Sequence, residues 1–265
     1  MSFVGKKVWI TGASSGIGAG LARELSAQGA HLLLSARRED ALRTVRAECL
    51  ERADNVDIIP LDLTNSEQVR LTAAHTLERH APIDILIHCA GVSQRALARD
   101  TVEDVDRAIM EINYFGTVAL TRAVLPSMLA RKRGHLVVVT SVAGKLGSPL
   151  RSSYSASKHA LHGYFDCLRA EVFQDGIAVT TVCPGYIDTA ITTNAYIGNG
   201  ERYGKIDTML SQGMPVPECA RAILRAVADK APEVIVSGPK ERVAVYLRRF
   251  FPTLLFRLIR SHVPS

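Results

Sequence analysis

The 265-residue chain reads as one doubly wound α/β domain, a seven-stranded parallel sheet with helices on both faces. Two observations carry this reading. Seven short apolar runs alternate along the chain with longer segments whose apolar residues recur every three to four positions. The runs are continuously apolar, not alternating with polar residues, as strands buried on both faces of a parallel sheet must be. A hydrophobic content of 47% supplies a core and excludes intrinsic disorder, and no linker composition or repeat divides the chain.

The strands are predicted over 7–11, 31–36, 56–61, 83–88, 135–141, 178–183 and 233–237, and the helices over 16–28, 39–53, 65–80, 101–131, 152–173 and 217–230. Two helix starts carry chemical marks. Thr64-Asn65-Ser66-Glu67 and Thr101-Val102-Glu103-Asp104 each put a capping side chain ahead of acids that suit a helix N-terminus. Residues 186–215 fit neither period. They follow Pro184-Gly185, hold four glycines and end at Pro215, which suggests a mobile lid at the sheet's ligand-binding end. The chain therefore divides into a catalytic domain over 1–240, lid included, and a tail over 241–265.

Thr11-Gly12-Ala13-Ser14-Ser15-Gly16-Ile17-Gly18 directly follows the first strand and opens the first helix. Glycines there allow a tight turn and close approach of the backbone to a pyrophosphate, which rests on the N–H groups and positive dipole of the helix; Ser14 and Ser15 add hydroxyls. The second strand ends Ser35-Ala36-Arg37-Arg38. An acid at that end would hold the adenosine ribose of NAD, whereas arginines pair with a 2′-phosphate, so NADP is favoured over NAD and Glu39 is assigned to the next helix.

Tyr154 and Lys158 stand four residues apart in a helical segment and share a face, with Ser141 upstream at the end of the apolar run Val137-Val138-Val139. A cation beside a phenol favours its ionised form. Lys158 is therefore expected to bring Tyr154 toward neutrality as a general acid and base.

Together these residues resemble the short-chain dehydrogenase/reductase family over about residues 5–240. The motifs are the glycine loop, Asp62 after the third strand, Cys89-Ala90-Gly91 after the fourth, Asn113, Ser141, Tyr154-x-x-x-Lys158 and Pro184-Gly185. The resemblance implies a Rossmann-type fold and roles for these positions. Tyr154 would exchange a proton with the substrate oxygen while Ser141 hydrogen-bonds the same oxygen. Lys158 would also bind the nicotinamide ribose, and Asn113 would hold a water linking Lys158 to solvent. Asp62 would accept from the adenine amino group with Leu63 adding a backbone contact. Pro184, Gly185, Ile187 and Thr189 would cover the nicotinamide. One departure is His88-Cys89, where many members carry two asparagines.

The net charge of +6 is concentrated. Residues 240–260 contribute +5 of it, through Lys240, Arg242, Arg248, Arg249, Arg257 and Arg260 against Glu241. Arg242, Arg249, Thr253, Arg257 and Arg260 form one helical stripe with Leu, Phe and Ile opposite, and Pro252 marks a kink or a second helix. Too short and too charged to span a bilayer, the segment suits an anionic membrane surface or packing on the protein. It resembles the tail of the 11β-hydroxysteroid-dehydrogenase-like branch, which implies NADP and a lipophilic alcohol or ketone. A 3-oxoacyl-thioester reductase and a non-catalytic NADP sensor are the alternatives. Nucleic-acid binding is not expected, because no basic face interleaved with aromatics accompanies the charge.

Five scattered cysteines, none in a C-x-x-C pair, indicate neither a disulfide framework nor zinc. His159 and His162 lack a third ligand, so no metal is expected. With no apolar leader, a cytoplasmic setting is expected. The long segments 101–131 and 152–173 resemble those that pair in family dimers and tetramers.

Overall fold

A computed structural model describes residues 2–49, 55–205 and 212–260. Seven parallel strands, β1 (Lys7–Thr11), β2 (His31–Ser35), β3 (Val56–Ile58), β4 (Ile85–His88), β5 (Gly134–Val139), β6 (Ile177–Pro184) and β7 (Glu233–Val236), form one sheet in the order β3-β2-β1-β4-β5-β6-β7. The order reverses direction at β1 and β4. The crevice outside the carboxyl ends of those two strands is where ligands bind in this architecture.

Helices cover both faces: α1 (Gly16–Ala27), α2 (Glu39–Glu48), α3 (Ser66–His80), α4 (Glu103–Met110), α5 (Gly116–Ala130), α6 (Ser152–Glu171) and α7 (Val216–Ala228). Alternate strand residues feed two cores. Val8, Ile10, Leu32, Leu34, Ile85 and Ile87 pack with α1, α2 and α7. Trp9, Leu33, Leu86, Leu136 and Val138 pack with α3, α5 and α6. The continuous apolar runs follow from this two-sided burial.

Several boundaries differ from expectation. The predicted helix 101–131 is two helices joined by a π-helical turn over Glu111–Phe115, and only Ile112 and Asn113 are buried in that turn. Apolar spacing barely changes across one wide turn, so periodicity misses it. Asn65 caps α3 by accepting from the Gln68 N–H at 2.9 Å, as expected. Thr101 does not cap α4. Its hydroxyl donates to the Leu97 carbonyl at 2.8 Å and accepts from the Gln94 amide, leaving Val102 at the cap position. The predicted helical stretch 50–53, part of the lid (206–211) and residues 261–265 lie outside the described residues.

The tail is not a single stripe. Pro252 starts a new helix, giving α8 (Pro239–Phe250) and α9 (Pro252–Arg260), with the Arg248 guanidinium 5.2 Å above the Phe256 ring. The first turn of α8 is tied to the domain, for Glu241 accepts from the Tyr186 N–H and Arg242 donates to the Ile235 carbonyl at 3.2 Å. Tyr246, Phe250, Phe251, Leu254, Phe256 and Leu258 are all exposed. No helix among the described residues is long and apolar enough to cross a membrane.

Candidate active site

A cavity of about 400 Å³ opens at the carboxyl ends of β1 and β4. Its floor is built by the strand ends themselves. The Thr11 hydroxyl accepts from the N–H groups of Cys89 and Ala90 at 3.3 and 3.4 Å, locking the loop after β4 against the loop after β1. Gly12 sits at φ +68° where a Cβ would come within 2.6 Å of the Ala90 backbone, and a Cβ on Gly18 would strike the Gly12 carbonyl. Only glycine fits either place. Ser15 stands at the α1 N-cap position without a capping side-chain bond, and no acid occupies the first turn. That N-terminus points its donors and dipole into the cavity, the arrangement a pyrophosphate requires.

Every cofactor residue predicted from the sequence lines this cavity: Gly12, Ser14, Ser15, Gly16, Ile17, Gly18, Arg37, Arg38, Asp62, Leu63, Cys89, Ala90, Gly91, Tyr154, Lys158, Pro184, Gly185, Ile187 and Thr189. At the β2 end, Arg37 and Arg38 are exposed toward it. Glu39 opens α2, and its carboxylate is bound by Arg43 at 2.6 Å. Asp62 accepts from both the N–H and hydroxyl of Thr64, at 3.0 and 2.9 Å, which fixes its orientation at the cavity wall. These groups fit a dinucleotide: a glycine cradle for the phosphates and cations for a further phosphate.

At the other end lie Ser141 and, on the buried face of α6, Tyr154 and Lys158, all three buried. The Ser141 hydroxyl accepts from the Ala143 N–H at 3.1 Å and hydrogen-bonds the Tyr154 phenol. Lys158 Nζ donates to the Val139 carbonyl at 3.0 Å and lies 5.8 Å from the centre of the Tyr154 ring. The electrostatics correct one expectation. Tyr154 is raised above the ordinary phenol value, not lowered, because burial outweighs the help of Ser141 and of the Arg151 cation. Burial brings Lys158 itself down to about 8. Two buried groups in one low-dielectric pocket each resist charge, which spacing along a helix does not reveal.

Asn113 stands apart from the expected set. It is wholly buried and does not line the cavity. Its side-chain oxygen accepts from the Val92 N–H at 2.8 Å, and its amide donates to the Val92 carbonyl and the Ser157 hydroxyl at 3.0 and 2.9 Å. Both amide N–H donors are thus taken by protein groups, and the side-chain oxygen holds the Val92 N–H. The π turn aims this side chain between the loop after β4 and α6, where it ties Val92 to Ser157. His88 is likewise turned away, buried against Thr121 at 2.8 Å and held neutral near 3 by desolvation.

Comparison with known proteins gives the family. The family model described as short chain dehydrogenase matches residues 6–199. The chain is a short-chain dehydrogenase/reductase. Among relatives of this family, dehydrogenase/reductase SDR family protein 7-like of Anopheles gambiae is 44% identical over 97% of this chain and 83% of its own length. SDR family member 7B of Danio rerio is 44% identical over 97% and 85%. A short-chain dehydrogenase/reductase of Burkholderia phymatum, solved with NAD, superposes at TM-score 0.84 over 96% of each chain; at 23% identity it shows the fold alone. A short-chain dehydrogenase of Burkholderia cenocepacia, solved with NADP, superposes at 0.79 with 28% identity over 98% of this chain and 99% of its own.

Several residues of this dehydrogenase's cavity carry no signature in the sequence. Arg151, Tyr186, Thr140, Asn194 and Arg202 line it beside the predicted set. The two ends of the segment 186–215 meet beside the cavity, where the Asp188 N–H donates to the Met214 carbonyl at 3.0 Å and the Met214 N–H to the Tyr186 carbonyl at 2.9 Å. Outside the cavity, His162, Cys183 and Glu233 converge within 4.8 Å. Residues distant in sequence thus stand beside His162, for which no third ligand was expected; Lys145 pairs with Glu233, and burial pushes the Cys183 thiol up to about 11.

Proposed function

We propose that the chain is an NADP-dependent oxidoreductase that interconverts a carbonyl and an alcohol on a small lipophilic substrate, with Tyr154 as general acid and base. The observation that carries this reading is the single cavity joining the glycine cradle and the Arg37-Arg38 pair at one end to Ser141, Tyr154 and Lys158 at the other. The glycine loop and the α1 N-terminus would hold the pyrophosphate, Arg37 and Arg38 a 2′-phosphate, and Asp62 the adenine. Bound there, the nicotinamide supplies the hydride.

In the direction of reduction the chain's own residues manage charge and proton. The raised Tyr154 stays protonated through neutral pH and presents its O–H to the carbonyl oxygen. Ser141, fixed by Ala143, supplies a second hydrogen bond to that oxygen as it turns into an alkoxide. Lys158 holds a positive charge behind the phenol until the pH passes about 8, which stabilises the phenolate left after transfer. Oxidation runs the same contacts in reverse. A panel of ketones and alcohols assayed with NADPH, NADH and their oxidised forms tests the reading. NADPH-dependent ketone reduction that disappears in Tyr154→Phe supports it, and an equal rate in that variant defeats it.

The same reading includes self-association along α5 and α6, and a reducing cytosolic setting in which all five cysteines are free. It also includes peripheral contact with anionic lipid through α8 and α9, whose apolar side chains are exposed beside Arg248, Arg249, Arg257 and Arg260. Co-sedimentation with phosphatidylserine vesicles, lost on deleting 243–265, tests the lipid contact.

A further inference from the structure

Helix α6 carries Tyr154 and Lys158, yet its own sequence does not cap its start. The residue at the N-cap position supplies no capping side-chain bond, and no acid stands in the first turn. The first N–H groups of any helix have no partner inside it, and a buried one needs an acceptor from elsewhere. Ser153, in that turn, is buried.

The acceptor comes from 59 residues away in the chain. Gln94, on the loop after β4, is wholly buried. Its Oε1 accepts from the Ser153 N–H at 2.8 Å and from the Ser152 hydroxyl at 3.3 Å. Its Nε2 donates to the Thr101 hydroxyl at 2.8 Å, and that hydroxyl donates onward to the Leu97 carbonyl. Chemistry fixes which way the amide points. The Ser153 N–H can only donate and so requires the oxygen, while Thr101, whose proton is committed to Leu97, requires the N–H.

The backbone on either side of Gln94 is tied as well. Val92 and Ser93, just before it, line the cavity. The Tyr196 N–H, on the lid, donates to the Ser93 carbonyl at 2.9 Å, and the Arg95 N–H donates to the Tyr196 carbonyl at 2.7 Å. Gln94 therefore stands where the loop after β4, the lid and the first turn of α6 are joined.

We infer that Gln94 is a positioning residue for the reaction: it caps α6 from outside the helix and so fixes where the Tyr154 phenol, one residue beyond Ser153, meets Ser141. This rests on the oxidoreductase reading above and adds a residue to it. Gln94 acts by placement, for it does not line the cavity. Losing the cap frees the turn that carries Tyr154, and a proton donor must stand within hydrogen-bond reach of the carbonyl oxygen, so a small displacement slows the transfer. The phosphate cradle, built on β1 and α1, is left in place.

The test measures kcat and KM with NADPH for the ketone that the wild-type protein reduces fastest, and NADPH affinity by fluorescence titration. Gln94→Met keeps the stem and removes both ends of the amide. It lowers kcat at least about tenfold, while KM for the ketone and Kd for NADPH change by less than about threefold. Gln94→Glu leaves an oxygen facing Ser153 at the positive end of the helix dipole and brings kcat back to within about threefold of wild type. Thr101→Val removes only the other partner and also leaves kcat within about threefold. Where Gln94→Met fails to fold, Gln94→Asn replaces it with the same expected loss, because its shorter stem withdraws the oxygen from Ser153. Hydrogen–deuterium exchange over residues 152–158, without nucleotide, is at least about tenfold faster in the Met or Asn variant than in wild type. The positioning role is refuted, and the oxidoreductase reading stands, on any of four results: kcat is kept, the loss is shared by NADPH affinity or by Thr101→Val, Gln94→Glu restores nothing, or exchange is unchanged. If the wild-type protein reduces no carbonyl, it is the oxidoreductase reading that falls, and exchange alone decides whether Gln94 holds the turn.

Discussion

Lys158 is held in a position that costs the fold stability, and replacing it measures that cost. Burial brings its ammonium from the ordinary 10.5 to about 8. At about 1.4 kcal/mol per tenfold change, carrying that charge at pH 7 destabilises the folded, nucleotide-free protein by about 3 kcal/mol. Lys158→Met keeps the unbranched stem and removes the charge, at the loss of the hydrogen bond to the Val139 carbonyl, worth about 1 kcal/mol. The net expectation is a gain of about 2 kcal/mol, or roughly 4–8 °C in Tm for a chain of this size. Its pH dependence is diagnostic. Below the folded value of about 8 both folded and unfolded chains hold the proton and the full penalty is present. Between about 8 and 10.5 the unfolded chain holds a proton that the folded one has released, so wild-type stability rises with pH relative to the variant. Above about 10.5 the difference is gone. Thermal unfolding of both proteins without nucleotide at pH 7, 9 and 10.5 checks this. A variant that is no more stable at pH 7, or a gain that persists unchanged at pH 10.5, would refute the reasoning.

Other outcomes follow from the same geometry. Wild-type carbonyl reduction, read as kcat/KM, declines as pH rises through about 8, because the charge behind Tyr154 is lost; Lys158→Arg, always charged, moves that decline upward. Gly12→Ala weakens NADPH binding at least tenfold in fluorescence titration, since its Cβ would meet the Ala90 backbone at 2.6 Å and φ there is +68°. Asn113→Ala removes three hydrogen bonds in a buried place and lowers stability by about 2–4 kcal/mol in urea unfolding, with a drop in kcat. Exchanging Arg37 and Arg38 for Ser and Asp inverts the preference between NADPH and NADH, read as the ratio of their kcat/KM values.

The parts legible in the sequence are those governed by local rules. Two-sided burial wrote itself into Val137-Val138-Val139 and Leu32-Leu33-Leu34 as unbroken apolar runs, so the strands were found with ends shifted by a few residues. Gly12 and Gly18 showed through because backbone crowding admits no side chain. What escaped depends on the assembled fold. Thr101 obeys a capping pattern, yet a tertiary partner, Gln94, competes for its hydroxyl. The π turn at Glu111–Phe115 leaves the apolar spacing nearly intact and so hides the reason Asn113 can reach Val92 and Ser157. The direction of the Tyr154 shift depends on desolvation by residues distant in sequence, which an i, i+4 spacing cannot report. Arg151 carries no motif at all. It becomes visible only once the start of α6 brings it to the cavity wall, its guanidinium 5.9 Å from the centre of the Tyr186 ring.

The central claim is hydride transfer between NADP and a carbonyl carbon with Tyr154 supplying the proton. Incubating the protein with NADPH deuterated at the nicotinamide C4 and a panel of lipophilic ketones, then weighing the alcohols by mass spectrometry, tests it most directly. The account predicts an alcohol carrying one deuterium at the carbinol carbon from the wild-type protein, and at least a hundredfold less from Tyr154→Phe. No labelled alcohol from any ketone, or equal labelling by the phenylalanine variant, would contradict it.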